Sequence, residues 1–184
     1  MTGPRISPLP PSERDERTAE LVASLRPTGG DDDMNLFATL ARHPRLLKRW
    51  SAFGGVLLFG GTLSDRDREL LILRTAANTG ADYEWGHHQV LAELAGLSPE
   101  EVARVLSGPD AEGWSSHDVA LLRAADELHR SAVISDDTWA ALASTFDEQQ
   151  LIEVPMVVGQ YHLVAFTLRS LGVEREDGFE GIPA

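Results

Sequence analysis

The chain has 184 residues, no cysteine, 42% hydrophobic and 24% charged residues, and a net charge of −13 from 16 Lys+Arg against 29 Asp+Glu. Without sulfhydryl groups it has no disulfide framework, thiolate metal site, iron–sulfur cluster or thiol nucleophile. Its acidity, with no basic patch visible in the sequence, argues against nucleic acid or a membrane as a partner.

Residues 1–13 carry Pro4, Pro8, Pro10 and Pro11 and read as an arm, mobile or laid on a neighbour. The stretch from Met1 to Arg14 is polar and lacks an apolar signal core. No apolar run reaches the roughly 18 residues that span a bilayer. The expected setting is therefore the cytoplasm, and the length fits one domain.

Thr18–Leu25 predicts a short helix, and Pro27–Asp33 a loop. Helical patterns then follow almost without break. Asn35–Arg42 predicts a helix that stops ahead of Pro44, because a residue before proline is pushed out of the α region. Arg45–Phe59 places Leu46, Leu47, Trp50, Phe53, Val56 and Leu57 on one face, and Gly60-Gly61 ends it. Ser64 reads as an N-cap, with Asp65 and Asp67 in the first turn where the helix dipole favours negative charge. That helix runs to Gly80. Asp82–Leu94 predicts the next helix, closed by Gly96. Ser98-Pro99-Glu100-Glu101 is a capping box with proline at the first helical position. Ser116–Ser131 is amphipathic, Ser135-Asp136 heads Thr138–Phe146, and Asp147 caps a long helix, Glu148–Leu171, ended by Gly172. Pro155 is expected to kink that helix. No segment alternates as a strand does, so the fold class is all-α.

The densest chemistry lies in Asp82-Tyr83-Glu84-Trp85-Gly86-His87-His88. Glu84 is three residues from His87 and four from His88, so either imidazole can meet it on one face. Adjacent positions point about 100° apart, so only one of the two histidines faces it squarely. A carboxylate beside an imidazole fixes its tautomer and stabilises its protonated form, which suits proton transfer near neutral pH. Gly86 costs about 1 kcal/mol relative to alanine in a helix interior; close approach of another helix or a ligand is one compensation. Glu69 is a second carboxyl candidate. Arg74, on the same helix, is suited to holding a substrate carboxylate through two hydrogen bonds.

The segment "LSDRDRELLILRTAANTGADYEWGHHQVLAELAGLSPEEV", Leu63 to Val102, resembles the core of the carboxymuconolactone decarboxylase family, which includes alkylhydroperoxidase D. The resemblance implies a helical bundle, homo-oligomeric as a trimer or hexamer, with active sites near subunit contacts. It extends over residues 34–175, between an arm and loop (1–33) and a tail (176–184). The peroxidase branch carries a glutamate, two cysteines three apart, and a histidine four residues after the second. Glu69 and His88 fall on the glutamate and histidine; Ala81 and Glu84 fall on the cysteines. Thiol-based peroxide reduction is therefore excluded. What the resemblance implies instead is a cofactor-free, lyase-like enzyme moving protons on a small carboxylated or lactone-like substrate. Glu84 would be the orienting or accepting carboxylate, His88 the proton-transfer residue with His87 as its alternative, and Glu69 a relay. Arg74, Tyr83 and Trp85 would contact the substrate.

Two other readings stay open. Glu84-x-x-His87 and Asp126-x-x-His129, completed by Glu69 and Glu153, have the pattern of a carboxylate-bridged metal site in a helix bundle. The helices could also build a non-catalytic oligomeric binding or scaffold protein. His43 reads as a helix-end residue beside the last carbonyls, His117 as exposed, and His129 as placed for its helix dipole. Trp50, Phe53, Phe59 and Trp139 read as core or subunit contact. Tyr161 and His162 read as core packing or as the far wall of the same cavity. No Gly-x-Ser-x-Gly elbow and no phosphate-binding loop is present.

Overall fold

Side-chain caps set where the helices begin, at Ser64, Ser98, Ser135 and Asp147 as the sequence predicts and also at Asp15 and Ser115. The side chains of Asp15, Ser64, Ser98, Ser115, Ser135 and Asp147 each accept the backbone N–H three residues on. The structure, a computed structural model, describes residues 3–26 and 33–183. Among them the helices are α1 (Glu16–Ala23), α2 (Asn35–Leu40), α3 (Pro44–Phe59), α4 (Asp65–Thr79), α5 (Asp82–Leu94), α6 (Pro99–Ser107), α7 (Ser116–Ser131), α8 (Asp136–Ala143) and α9 (Glu148–Leu171), with no strand. The expected loop at Pro27–Asp33 lies, apart from Asp33, outside the described residues. His43 starts α3 rather than closing α2: its Nδ1 accepts the Leu46 N–H. The α9 helix is continuous through Pro155 and stops where Gly172 turns left-handed at φ 68°.

The organising element is α4. Leu70, Leu71, Ile72 and Leu73 are four consecutive residues with no exposure, so the middle of this helix is enclosed on every side. It packs against α5, α7 and α9. By length and apolar composition α9 could cross a membrane, which the expectation of no apolar span overlooked. In this fold its Val154, Val157, Val158 and Ala165 instead fill the core against α4.

The N-terminal arm is laid on its own chain. Arg5 N–H donates to Leu171 O at 2.7 Å and Leu9 N–H to Ala38 O at 2.9 Å. Arg42 Nε holds Ser7 O at 2.7 Å. Arg14 bonds Leu9 O and pairs with Asp33. Val22 of α1 packs with Ala41 and Leu47 in a small second core.

Candidate functional site

Burial of α4 carries Glu69 into the interior with 0% exposure. A carboxyl group there needs partners, and two supply them. His88, on the inward face of α5, donates its Nδ1–H to Glu69 Oε2 at 2.7 Å. Arg68 Nε donates to Oε1 at 3.3 Å and is itself tied to Asp65. The Nδ1 proton follows from the carboxylate being an acceptor. It leaves His88 Nε2 as the working nitrogen, with no protein partner among the described residues. Tyr161 of α9 sets its ring edge-on to the imidazole, centroids 4.9 Å apart at 90°.

One turn before His88, Glu84 is 3% exposed. Neither of its carboxyl oxygens has a hydrogen-bond partner among the described residues. Burial raises its pKa well above the ordinary carboxylate range, which favours the protonated form. Burial likewise raises the Tyr161 phenol, and the Glu69 carboxylate raises it further. α4, α5 and α9 thus bring one cluster together: Glu69 and Tyr161 both meet the His88 ring, and Glu84 lies one turn before it on α5. Such a cluster can store a proton, hand it on, and recover it through an imidazole whose far edge is free.

The other candidates lie elsewhere. His87 points away from this cluster and meets Glu176 Oε2 through Nε2 at 2.6 Å. Its ring stacks on Phe179, centroids 3.9 Å apart. Tyr83 donates its hydroxyl to Glu176 Oε1 at 2.8 Å and accepts the Leu36 N–H. Burial opposes ionisation of Glu176, but hydrogen bonds from His87, the Asn35 N–H and Tyr83 prevail and lower its pKa. His87 and Tyr83 thus anchor the C-terminal tail, a correction to their expected roles as alternative catalyst and substrate contact. The tail explains Gly86. A Cβ there would lie 2.7 Å from Glu180 O and 3.2 Å from Phe179 Cβ, so close approach of the tail is what requires glycine.

Arg74 is also corrected. It clamps Asp126 through Nε and Nη2 at 2.6 and 2.9 Å and donates to the Val105 and Leu106 carbonyls, which leaves it no fork for a substrate. Trp85 lies in the main core at 1% exposure, with its indole N–H unpartnered among the described residues. The alternative metal set is scattered. Asp126 is held by Arg74 and Asn78, Glu153 accepts from Thr62 and Leu63, and His129 pairs with His162. His117, expected to be exposed, reaches Asp67 at 3.0 Å. Two surface clefts, of about 540 and 410 Å³, are lined by other residues than Glu69, Glu84 and His88. The cluster meets solvent only slightly, chiefly through His88 and Tyr161, 8% each.

Tyr161 carried only half a signal in the sequence, an aromatic on a long apolar helix. Glu176 and Phe179 carried none of their own, and the glycine inside α5 was their indirect trace.

Residues 44–127 match the family model of the carboxymuconolactone decarboxylase family. Over that stretch, somewhat less than half of the chain, the sequence is similar to the family. The chain contains no cysteine, which fits a branch without a redox thiol pair. No curated protein matches the sequence. Among solved structures, it is similar to an uncharacterized peroxidase-related protein with an alkylhydroperoxidase AhpD core from Ralstonia eutropha JMP134. The TM-score is 0.80 at 18% identity, over 94% of this chain and 93% of that one. An uncharacterized peroxidase-related protein from Silicibacter sp. TM1040 gives 0.79 at 16% identity, over 97% and 92%. The debrominase Bmp8 gives 0.74 at 14% identity, over 94% and 92%. At these identities the likeness establishes the shared helical fold.

Proposed function

We propose that this chain is a cofactor-free acid–base enzyme of the decarboxylating lyase type, acting on a small carboxylated or lactone-like molecule. One observation carries the reading: Glu84 is buried with both oxygens unpartnered among the described residues. A buried polar group without a hydrogen bond costs free energy. A scaffold has no use for such a group, whereas a proton donor does.

In the proposed reaction the substrate carboxylate leaves as carbon dioxide, and the electrons of the broken carbon–carbon bond form an enolate. Tyr161 donates a hydrogen bond to the enolate oxygen. Glu84 gives its proton to carbon and becomes a carboxylate, which its surroundings disfavour. His88 restores that proton from solvent through Nε2, while Glu69 holds the imidazole by Nδ1. The reading includes a homo-oligomer, supported by the apolar side chains that α3 and α9 leave exposed, among them Val56, Phe59 and Ile152.

The test is a panel of carboxylated lactones and β-keto acids incubated in deuterium oxide, scored for carbon dioxide release and deuterium at carbon. The expected result is turnover that falls by roughly a hundredfold or more in Glu84→Gln and His88→Ala with helical content intact. Wild-type rates in both variants, or no turnover of any member of the panel, would refute the assignment.

A further inference from the structure

On the opposite side of α4 the fold builds a second polar cluster. Asn78 follows Glu69 by nine residues, about half a turn round the helix. There α4, α7 and α9 border a cleft of about 410 Å³ lined by Asn78, Thr79, His129, Phe166, Arg169 and Ser170, among others. Arg169 donates to the Thr79 carbonyl, and no carboxylate among the described residues pairs with it. The histidine pair has a defined proton order. His162 Nδ1–H donates to Val158 O at 2.8 Å, so its Nε2 accepts from His129 Nδ1–H at 2.9 Å. That leaves His129 Nε2 without a partner among the described residues.

The charges around His129 are His162, Asp126, Arg74 and Arg130. Asp126 is already held by Arg74 and by Asn78 Nδ2 at 2.7 Å. With Arg169, three arginines stand against one aspartate in a chain of net charge −13, so the fold assembles a local cationic surplus that the sequence does not display. Beside it stands Phe166, 63% exposed, edge-on to His162 with centroids 5.9 Å apart.

The geometry points to this cleft as a binding site for a small organic carboxylate, its anionic group on Arg169 and His129 and its apolar body on Phe166. A guanidinium fork matches a carboxylate. An imidazole whose proton is disfavoured by burial and by neighbouring cations takes one up when an anion arrives. An apolar wall favours an organic acid over inorganic phosphate. The site is separate from the Glu69–Glu84–His88 cluster and stands or falls without the function proposed for it.

The experiment is a ¹H–¹⁵N NMR titration of the full chain with benzoate, and in parallel with inorganic phosphate at matched ionic strength. Benzoate is expected to give saturable shifts at Asn78, Thr79, His129 and residues 165–170, and to raise the pH at which the His129 ring titrates. Arg169→Gln should weaken binding by roughly tenfold or more. Phe166→Ala, at an exposed position that leaves the fold alone, should weaken benzoate but not phosphate. Saturation unchanged in Arg169→Gln, equal binding of both anions with no effect of Phe166→Ala, or no saturable shift in the cleft up to roughly 50 mM benzoate would each overturn the assignment.

Discussion

Replacing Gly86 by alanine tests how the tail is seated, because one substitution should change sign with its context. Alanine is favoured over glycine inside a helix by about 1 kcal/mol, so an α5 free of the tail would gain from it. In the intact chain the new Cβ would meet Glu180 O at 2.7 Å and Phe179 Cβ at 3.2 Å. The closer atom is backbone, so the tail must shift as a unit. Overpacking of this kind costs about 1–3 kcal/mol. The shift also strains the hydrogen bonds from His87 and Tyr83 to Glu176, each contributing about 0.5–1.5 kcal/mol. The net expectation is a loss of about 1–3 kcal/mol in the full chain. Against a background lacking residues 175–184, it is a gain of about 0.5–1 kcal/mol. Urea unfolding of the four proteins, followed by circular dichroism, reads both values as midpoint shifts at constant slope. If Gly86→Ala stabilises the full chain, the tail does not lie on α5 and the explanation of that glycine is wrong.

Three further outcomes follow from the same contacts. Arg74→Ala should cost about 2–4 kcal/mol, because Asp126 loses its clamp in a half-buried position; an altered KM with unchanged thermal stability would restore Arg74 to substrate binding. Glu69→Gln should reduce turnover, because the amide no longer anchors the His88 Nδ1–H as a carboxylate does; unchanged activity would remove Glu69 from the relay. Glu84→Gln should show its effect as a pH dependence. In the unfolded chain Glu84 releases its proton in the ordinary carboxylate range, whereas in the fold it keeps it. The wild-type fold is therefore free of this penalty at low pH. It loses stability relative to the unfolded chain as pH rises, by at most about 1.4 kcal/mol per pH unit, until the buried group ionises. The variant lacks that loss, so its stability relative to wild type should climb as pH rises above the ordinary carboxylate range; a flat difference would mean that Glu84 ionises normally.

What could be read from residues alone was largely local. Ser64, Ser98 and Asp147 announced their helices because capping needs only a side chain three residues from an N–H. The helical spacing of Glu84 and His88 placed both on the same face for similar reasons. The pairing of His88 with Glu69 rather than Glu84 was not legible, since it depends on α5 crossing the enclosed middle of α4. Arg74 illustrates the opposite failure. Its chemistry suits a substrate carboxylate, but Asp126 lies 52 residues away in the chain and reaches it first. Gly86 lay between these cases: its cost signalled a close neighbour without saying which segment would arrive. The cationic cleft at His129 and Arg169 was hidden because its members come from three helices of an acidic chain.

The direct question is whether a carboxylic acid keeps its proton beside a histidine in a chain that has no thiol to do the work. Glutamate labelled with ¹³C at the side-chain carboxyl, titrated by NMR in wild type and in Glu84→Gln, answers it. One resonance, absent from the variant, should hold the chemical shift of an un-ionised carboxyl through neutral pH. If the Glu84 signal moves to the ionised position along with the surface glutamates, the proton reservoir does not exist.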